Sequence, residues 1–192
     1  MEIMRLGPSY WWIVGIATVF TLARFSEAFL ILRAQSVGLP IMLVPGVLVL
    51  MNVVYAVAAY PAGVASDRMK RTTLLIVGLG LLIAADLALA LLPSIGGVAL
   101  GVVLWGLHMG LTQGLFATLV ADAAPPELRG TAYGFFNLLT GVAMLAASII
   151  AGALWDATGP KGTFIAGVCF TLVALAGLLA VRGQIEPAAV RR

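Results

Sequence analysis

The chain has 192 residues, 62% of them hydrophobic and 10% charged, with a formal net charge of +3. Its mean hydropathy is +1.10, whereas soluble domains carry only roughly 45–50% apolar residues. Too few polar side chains remain to clothe a soluble surface, so a soluble fold is excluded and an all-α, polytopic membrane protein is expected. Six apolar runs, at 10–32, 41–60, 72–92, 95–120, 131–155 and 163–181, are each long enough to cross a hydrocarbon layer about 30 Å thick as a helix.

The first run opens on Tyr10-Trp11-Trp12, an interfacial aromatic belt. It is too long, and too charged inside, for a cleavable signal peptide. Arg24 and Glu27 lie three apart, so on one helix they share a face and can form an ion pair. Thr21 precedes them at the same spacing, extending a polar stripe over about 120° of helix. Charges at such depth cost at least about 2.5–3.5 kcal/mol each near the centre of a span, and they face a cavity or one another. The second run carries Pro45, a possible bend, and Asn52. It ends in Gly63-Val64-Ala65-Ser66-Asp67-Arg68-Met69-Lys70-Arg71, a dense cluster of charge wedged between two apolar runs.

Asp86 is the lone charge within the third run. In the fourth, His108 and Thr112 share one face, while Gly106, Gly110 and Gly114 form a small-residue ridge on another. Such a ridge permits close backbone approach between helices, so the polar face is expected to look into a cavity. His108 titrates near physiological pH when unperturbed, which leaves two readings open, a proton carrier and a hydrogen-bonded packing histidine. The fifth run contains Asn137, placed to line a cavity or bridge helices, and Gly141, another possible bend. Cys169, in the sixth, is the only cysteine and excludes an intrachain disulfide and a cysteine-based metal site. It is expected as a small buried apolar residue.

With a cytoplasmic N-terminus, Arg5, Arg68, Lys70, Arg71, Arg129, Arg182, Arg191 and Arg192 all fall inside, and only Arg33 and Lys161 outside. That bias predicts N-in and C-in. A second pattern is internal. Ala62-Gly63-x-x-x-Asp67 closes the second run and Ala151-Gly152-x-x-x-Asp156 closes the fifth, 89 residues on. Three helices separate the copies, so they lie on opposite membrane faces, the geometry of an inverted 3+3 repeat.

Gly63, Asp67, Arg68 and Arg71 resemble the signature loop of the major facilitator superfamily. The match departs at Lys70, where a second glycine is usual, and at Thr72, where another basic residue is often found. Ala124-Pro125-Pro126-Glu127-Leu128-Arg129-Gly130-Thr131-Ala132-Tyr133-Gly134 is similar to the superfamily's loop between its tenth and eleventh helices. From about Tyr10 to Val181 the chain looks like the C-terminal six-helix half of such a transporter. The resemblance implies that the first helix lines a central cavity, so Thr21, Arg24 and Glu27 would face a solute or a coupling proton, joined by Asn52, His108, Thr112 and Asn137. It implies a peripheral third helix, with Asp86 paired structurally or near an interface. It also implies that Asp67 latches one access state by accepting backbone N–H groups at a helix N-terminus near Gly130–Thr131. Plain neutralisation of the neighbouring arginines is the other reading of Asp67.

No enzyme motif is present. A single histidine excludes HExxH spacing, and neither G-x-S-x-G nor a Walker A sequence occurs. The reading is therefore a secondary transporter, or a half or fragment of one, moving a small solute with a coupling proton or ion. It has no cofactor, metal or nucleic-acid partner, and sits in a bacterial inner membrane. A second six-helix half, as a homodimer or a missing N-terminal half, is expected as partner. The alternative is a non-transporting scaffold with the same fold.

Overall fold

The computed structural model describes residues 6–185, so Arg5, Arg191 and Arg192 of the basic set lie outside the described residues. Among the described residues the chain is helical throughout: α1 (Pro8–Ala23), α2 (Ala28–Ser36), α3 (Val44–Arg68), α4 (Arg71–Leu91), α5 (Ile95–Ala123) and α6 (Arg129–Ile185), with 3-10 turns at Ile41–Leu43 and Pro126–Leu128. Five helical stretches are long and apolar enough to cross a membrane. Helix starts follow local chemistry. Pro8 occupies the first turn of α1, where its missing N–H is no loss, and Ser94 Oγ caps α5 by accepting the Gly97 N–H at 3.0 Å. Pro45 likewise sits in the first turn of α3 and begins that helix instead of bending it.

Helix α6 counts 57 residues, which would extend about 86 Å if straight. It is not straight. Gly159 adopts φ 72 and ψ −171, a left-handed φ that glycine takes without steric cost. Pro160 follows and cannot continue the first arm's hydrogen bonding. Thr163 Oγ1 then donates to Ala151 O at 3.4 Å, twelve residues back, where a continuous helix would separate the two by about 18 Å. Residues 129–158 and 160–185 thus form an antiparallel hairpin with a one-residue turn, in place of the longer connection expected from the sequence.

Two hydrogen bonds fix the partner of α1. Tyr10 Oη donates to Ala132 O at 2.9 Å, and the Ser26 N–H donates to Ser148 Oγ at 3.3 Å. Both join residues 122 apart, so the first segment and the 129–158 arm run parallel in constant register. The glycine ridge packs α5 on α3: a Cβ at Gly106 would stand 2.6 Å from Met51 O, and one at Gly110 2.6 Å from Ala58 Cβ. At one end of the bundle Arg71 forms an ion pair with Asp122, tying the α3–α4 junction to the end of α5. Arg129 Nε reinforces that end by donating to Ala121 O at 3.2 Å. Arg33 is buried, and its Nε donates to Leu89 O at 2.8 Å at the C-terminus of α4. Cys169 is exposed and not buried, because its face of the second arm looks away from the core.

Candidate functional site

The apolar run at 10–32 reads as one helix, but it breaks. Arg24 has φ −103 and ψ 72 and closes α1, and α2 starts only at Ala28. Residues 24–27 are four consecutive positions of polar or bulky side chains whose backbone leaves the helical ladder. Non-helical backbone at membrane depth is tolerated only where protein or a cavity satisfies it. Both conditions are met here. Ser148 Oγ receives the Ser26 N–H, and Arg24, Phe25, Ser26 and Glu27 line a cavity of 510 Å³ together with Trp105, Gly141, Met144, Leu145 and Ser148.

The break alters the expected charge chemistry. Arg24 and Glu27 no longer occupy one helical face, and among the described residues the ion pair found joins Arg71 to Asp122 instead. Arg24 lies with its guanidinium carbon 5.9 Å from the Phe20 ring centroid, a cation–π distance. Its Nε is buried without a hydrogen-bond partner, as is Trp105 Nε1. The cavity wall therefore carries the Arg24 side chain, the Glu27 carboxyl and the serine hydroxyls of Ser26 and Ser148, while the first N–H groups of α2 are taken by Ser26 and Glu27. The cavity is amphoteric, with apolar walls from Phe25, Met144 and Leu145.

The other sequence candidates fall elsewhere. Thr21 is one turn before the break and donates to Ala17 O at 2.7 Å. His108 and Thr112 are fully buried between helices and do not line the cavity. His108 Nδ1 lies 2.8 Å from Gly78 O on α4, and its ring packs 5.4 Å from that of Phe20. Thr112 Oγ1 donates to His108 O at 2.9 Å, with its methyl in the space left by Gly78. The polar face of α5 thus meets α4 and not a cavity, because Gly78 lets the two helices close on it. Asn52 and Asn137 are exposed, on α3 and on the 129–158 arm. Gly141 bends nothing but leaves room in the cavity wall.

Asp86 is fully buried, and neither carboxyl oxygen has a hydrogen-bond partner, so the expected structural pairing is not made. Its carboxyl occupies the space left by Gly167, where a Cβ would stand 2.5 Å from Asp86 Oδ2. In the signature loop Asp67 is exposed, and the hydrogen bonds of the described residues include none from a Gly130 or Thr131 N–H to it. The loop is held by Arg71 to Asp122, a partner the sequence reading did not single out. Glu127 stands in the 3-10 turn before α6. Ser148, Trp105 and Met144 were also missed. Ser148 had one available signal, a hydroxyl set between apolar residues deep in the fifth run.

A bundle of long apolar helices, with its first segment broken beside an open cavity, has the architecture of a polytopic membrane protein. The profile of the Major Facilitator Superfamily matches residues 1–148. An uncharacterized MFS-type transporter of Methanocaldococcus jannaschii, MJ1317, is 33% identical over 170 residues, covering 85% of this chain and 42% of the relative. The crystal structure of the POT family transporter PepTSo superposes with a TM-score of 0.70 at 17% identity, covering 93% of this chain and 39% of that one. This chain belongs to the major facilitator superfamily. It spans about two-fifths of the length of the curated relative and of the solved transporter.

Proposed function

We propose that the chain is one six-helix half of a secondary active transporter, carrying a small solute by alternating access with a coupling proton or ion. Arg24, Glu27, Ser26 and Ser148 form its share of the solute path. The observation that carries this reading is the break at residues 24–27 over a 510 Å³ cavity, since discontinuous helices are where secondary transporters hold solutes and the volume is that of a small-molecule site. Each arm of α6 makes its own crossing, giving six passes with both termini cytoplasmic in an inner membrane. No step of this chemistry calls for an enzyme nucleophile or a cofactor. A second half, as another copy or a separate chain, closes the open side of the cavity, because charges facing lipid are costly and a two-fold pair is the simplest closed arrangement of identical chains.

The test is sided accessibility. Ser148→Cys in a Cys169→Ala background is treated with a membrane-impermeant maleimide in sealed vesicles of each orientation, with and without a proton gradient. Labelling from both sides, in a ratio that the gradient shifts, is the expected result. Labelling from one side only under all conditions would leave a fixed cavity and remove alternating access.

A further inference from the structure

Outside the proposed solute path, a second cavity of 520 Å³ opens along the flank of α3. Its lining is apolar throughout: Val53, Val57, Pro61 and Ala65 from α3, Leu74 from α4, and Leu107 from α5 are representative. From Val53 to Ala65 the groove follows about 18 Å of helix axis, close to the depth of one leaflet of a bilayer whose core is about 30 Å thick. Pro61, Ala65 and Arg68 are spaced four and three apart, so they stack on one face of α3. Arg68 therefore lies on the groove's face of α3, about one turn beyond Ala65, the last α3 residue that lines it.

Arg68 is exposed and, among the described residues, enters no ion pair: the Arg71 guanidinium next to it is taken by Asp122. Asp67, the neighbouring anion, is turned about 100° round the helix from Arg68, away from the groove. An apolar groove one leaflet deep, with a cation one turn beyond its end on the same helix face, is complementary to one kind of molecule. We propose that it is a binding site for an anionic phospholipid, one acyl chain lying against Val57, Pro61, Ala65 and Leu74 and the headgroup phosphate meeting Arg68. A zwitterionic lipid fills the same groove, but the positive charge of its headgroup opposes Arg68.

The full-length protein is purified in mild detergent, delipidated and titrated with phosphatidylglycerol or with phosphatidylcholine of the same acyl chains, and retained lipid is counted by native mass spectrometry. Phosphatidylglycerol is expected to be retained at least about fivefold better, the effect of one basic residue at a lipid phosphate. Arg68→Gln should bring it down to the phosphatidylcholine level. Ala65→Phe, which fills the groove without touching charge, should reduce retention of both lipids, and glycerol phosphate alone should not compete. Circular dichroism identifies any variant that loses its helices. For that case Val57→Trp supplies a second groove-filling change on an exposed position. Equal retention of the two lipids, or phosphatidylglycerol retention unchanged in Arg68→Gln and in the groove-filling variants, would overturn the site. So would crosslinking of Val57→Cys, in the Cys169→Ala background, to a second protein chain in native membranes, since the groove would then be a protein contact.

Discussion

Gly167 has no side chain because Asp86 uses the space. Replacing it with alanine puts a methyl group 2.5 Å from Asp86 Oδ2 and 3.2 Å from Phe25 Cε1, closer than atoms in a packed core tolerate. Overpacking of this kind costs about 1–3 kcal/mol, so Gly167→Ala should lower the melting temperature in detergent. In an Asp86→Ala background the same change should cost less, with a coupling on the order of 0.5 kcal/mol or more between the two positions. Equal costs in both backgrounds would show that Asp86 is not what the glycine makes room for. The sequence marked Asp86 as unusual but could not say what faced it. Spacing reports which residues share a face, and the neighbour across that face comes from the fold. The same blindness sent His108 and Thr112 toward a cavity. Their common face was legible, whereas the Gly78 carbonyl that meets it belongs to another helix.

Among the helices, the ridge on α5 is a graded experiment already built into the chain. Gly106 and Gly110 face α3 at distances that leave no room for a Cβ, whereas Gly114 has nothing within 4 Å. Gly110→Val should therefore destabilise the bundle by roughly 1–3 kcal/mol, while Gly114→Ala should leave stability unchanged or slightly raised through its helix propensity. Similar losses at both positions, measured by thermal unfolding, would contradict the α3–α5 contact. This packing was readable from sequence because small residues repeating every four positions have few other uses in a membrane helix. The break between α1 and α2 was not readable. Hydropathy passes straight through residues 24–27, and the assumption of an unbroken helix produced an ion pair between Arg24 and Glu27 that is not formed among the described residues. The turn at Gly159 was equally hidden, since one residue with positive φ does what a loop was expected to do.

For the molecule as a whole, the junction of α3 with α4, the junction of α5 with α6 and the start of α1 share one end, as the Arg71–Asp122 pair and the Tyr10–Ala132 bond require. Arg68, Lys70, Arg71 and Arg129 gather there, and Gly159 lies at the other end. If that basic end is cytoplasmic, a reporter fused after Arg192 should resist external protease in intact cells, and one inserted at Gly159 should be cut. Protection at both sites would contradict the six-pass arrangement. The helical, membrane-spanning plan was the part best encoded in the sequence, because membrane thickness dictates segment length. The outer faces were less so. Val49, Val53, Val57 and Tyr60 on α3, and Leu138, Val142, Leu145 and Ile149 on the 129–158 arm, are all exposed. An apolar residue that meets lipid and one that meets a second half look alike in a sequence.

The turn at Gly159 has a mechanical consequence. A connection of one residue contains no slack, so the arm that carries Ser148 cannot tilt without carrying residues 160–185 along with it. The opposite holds at residues 24–27, where four residues outside the helical ladder give play between α1 and α2. Any rocking of this bundle is therefore steered by a stiff lever on one wall of the cavity and absorbed by a soft joint on the other, and Ser26 and Ser148, bonded across the gap, are where the lever meets the joint.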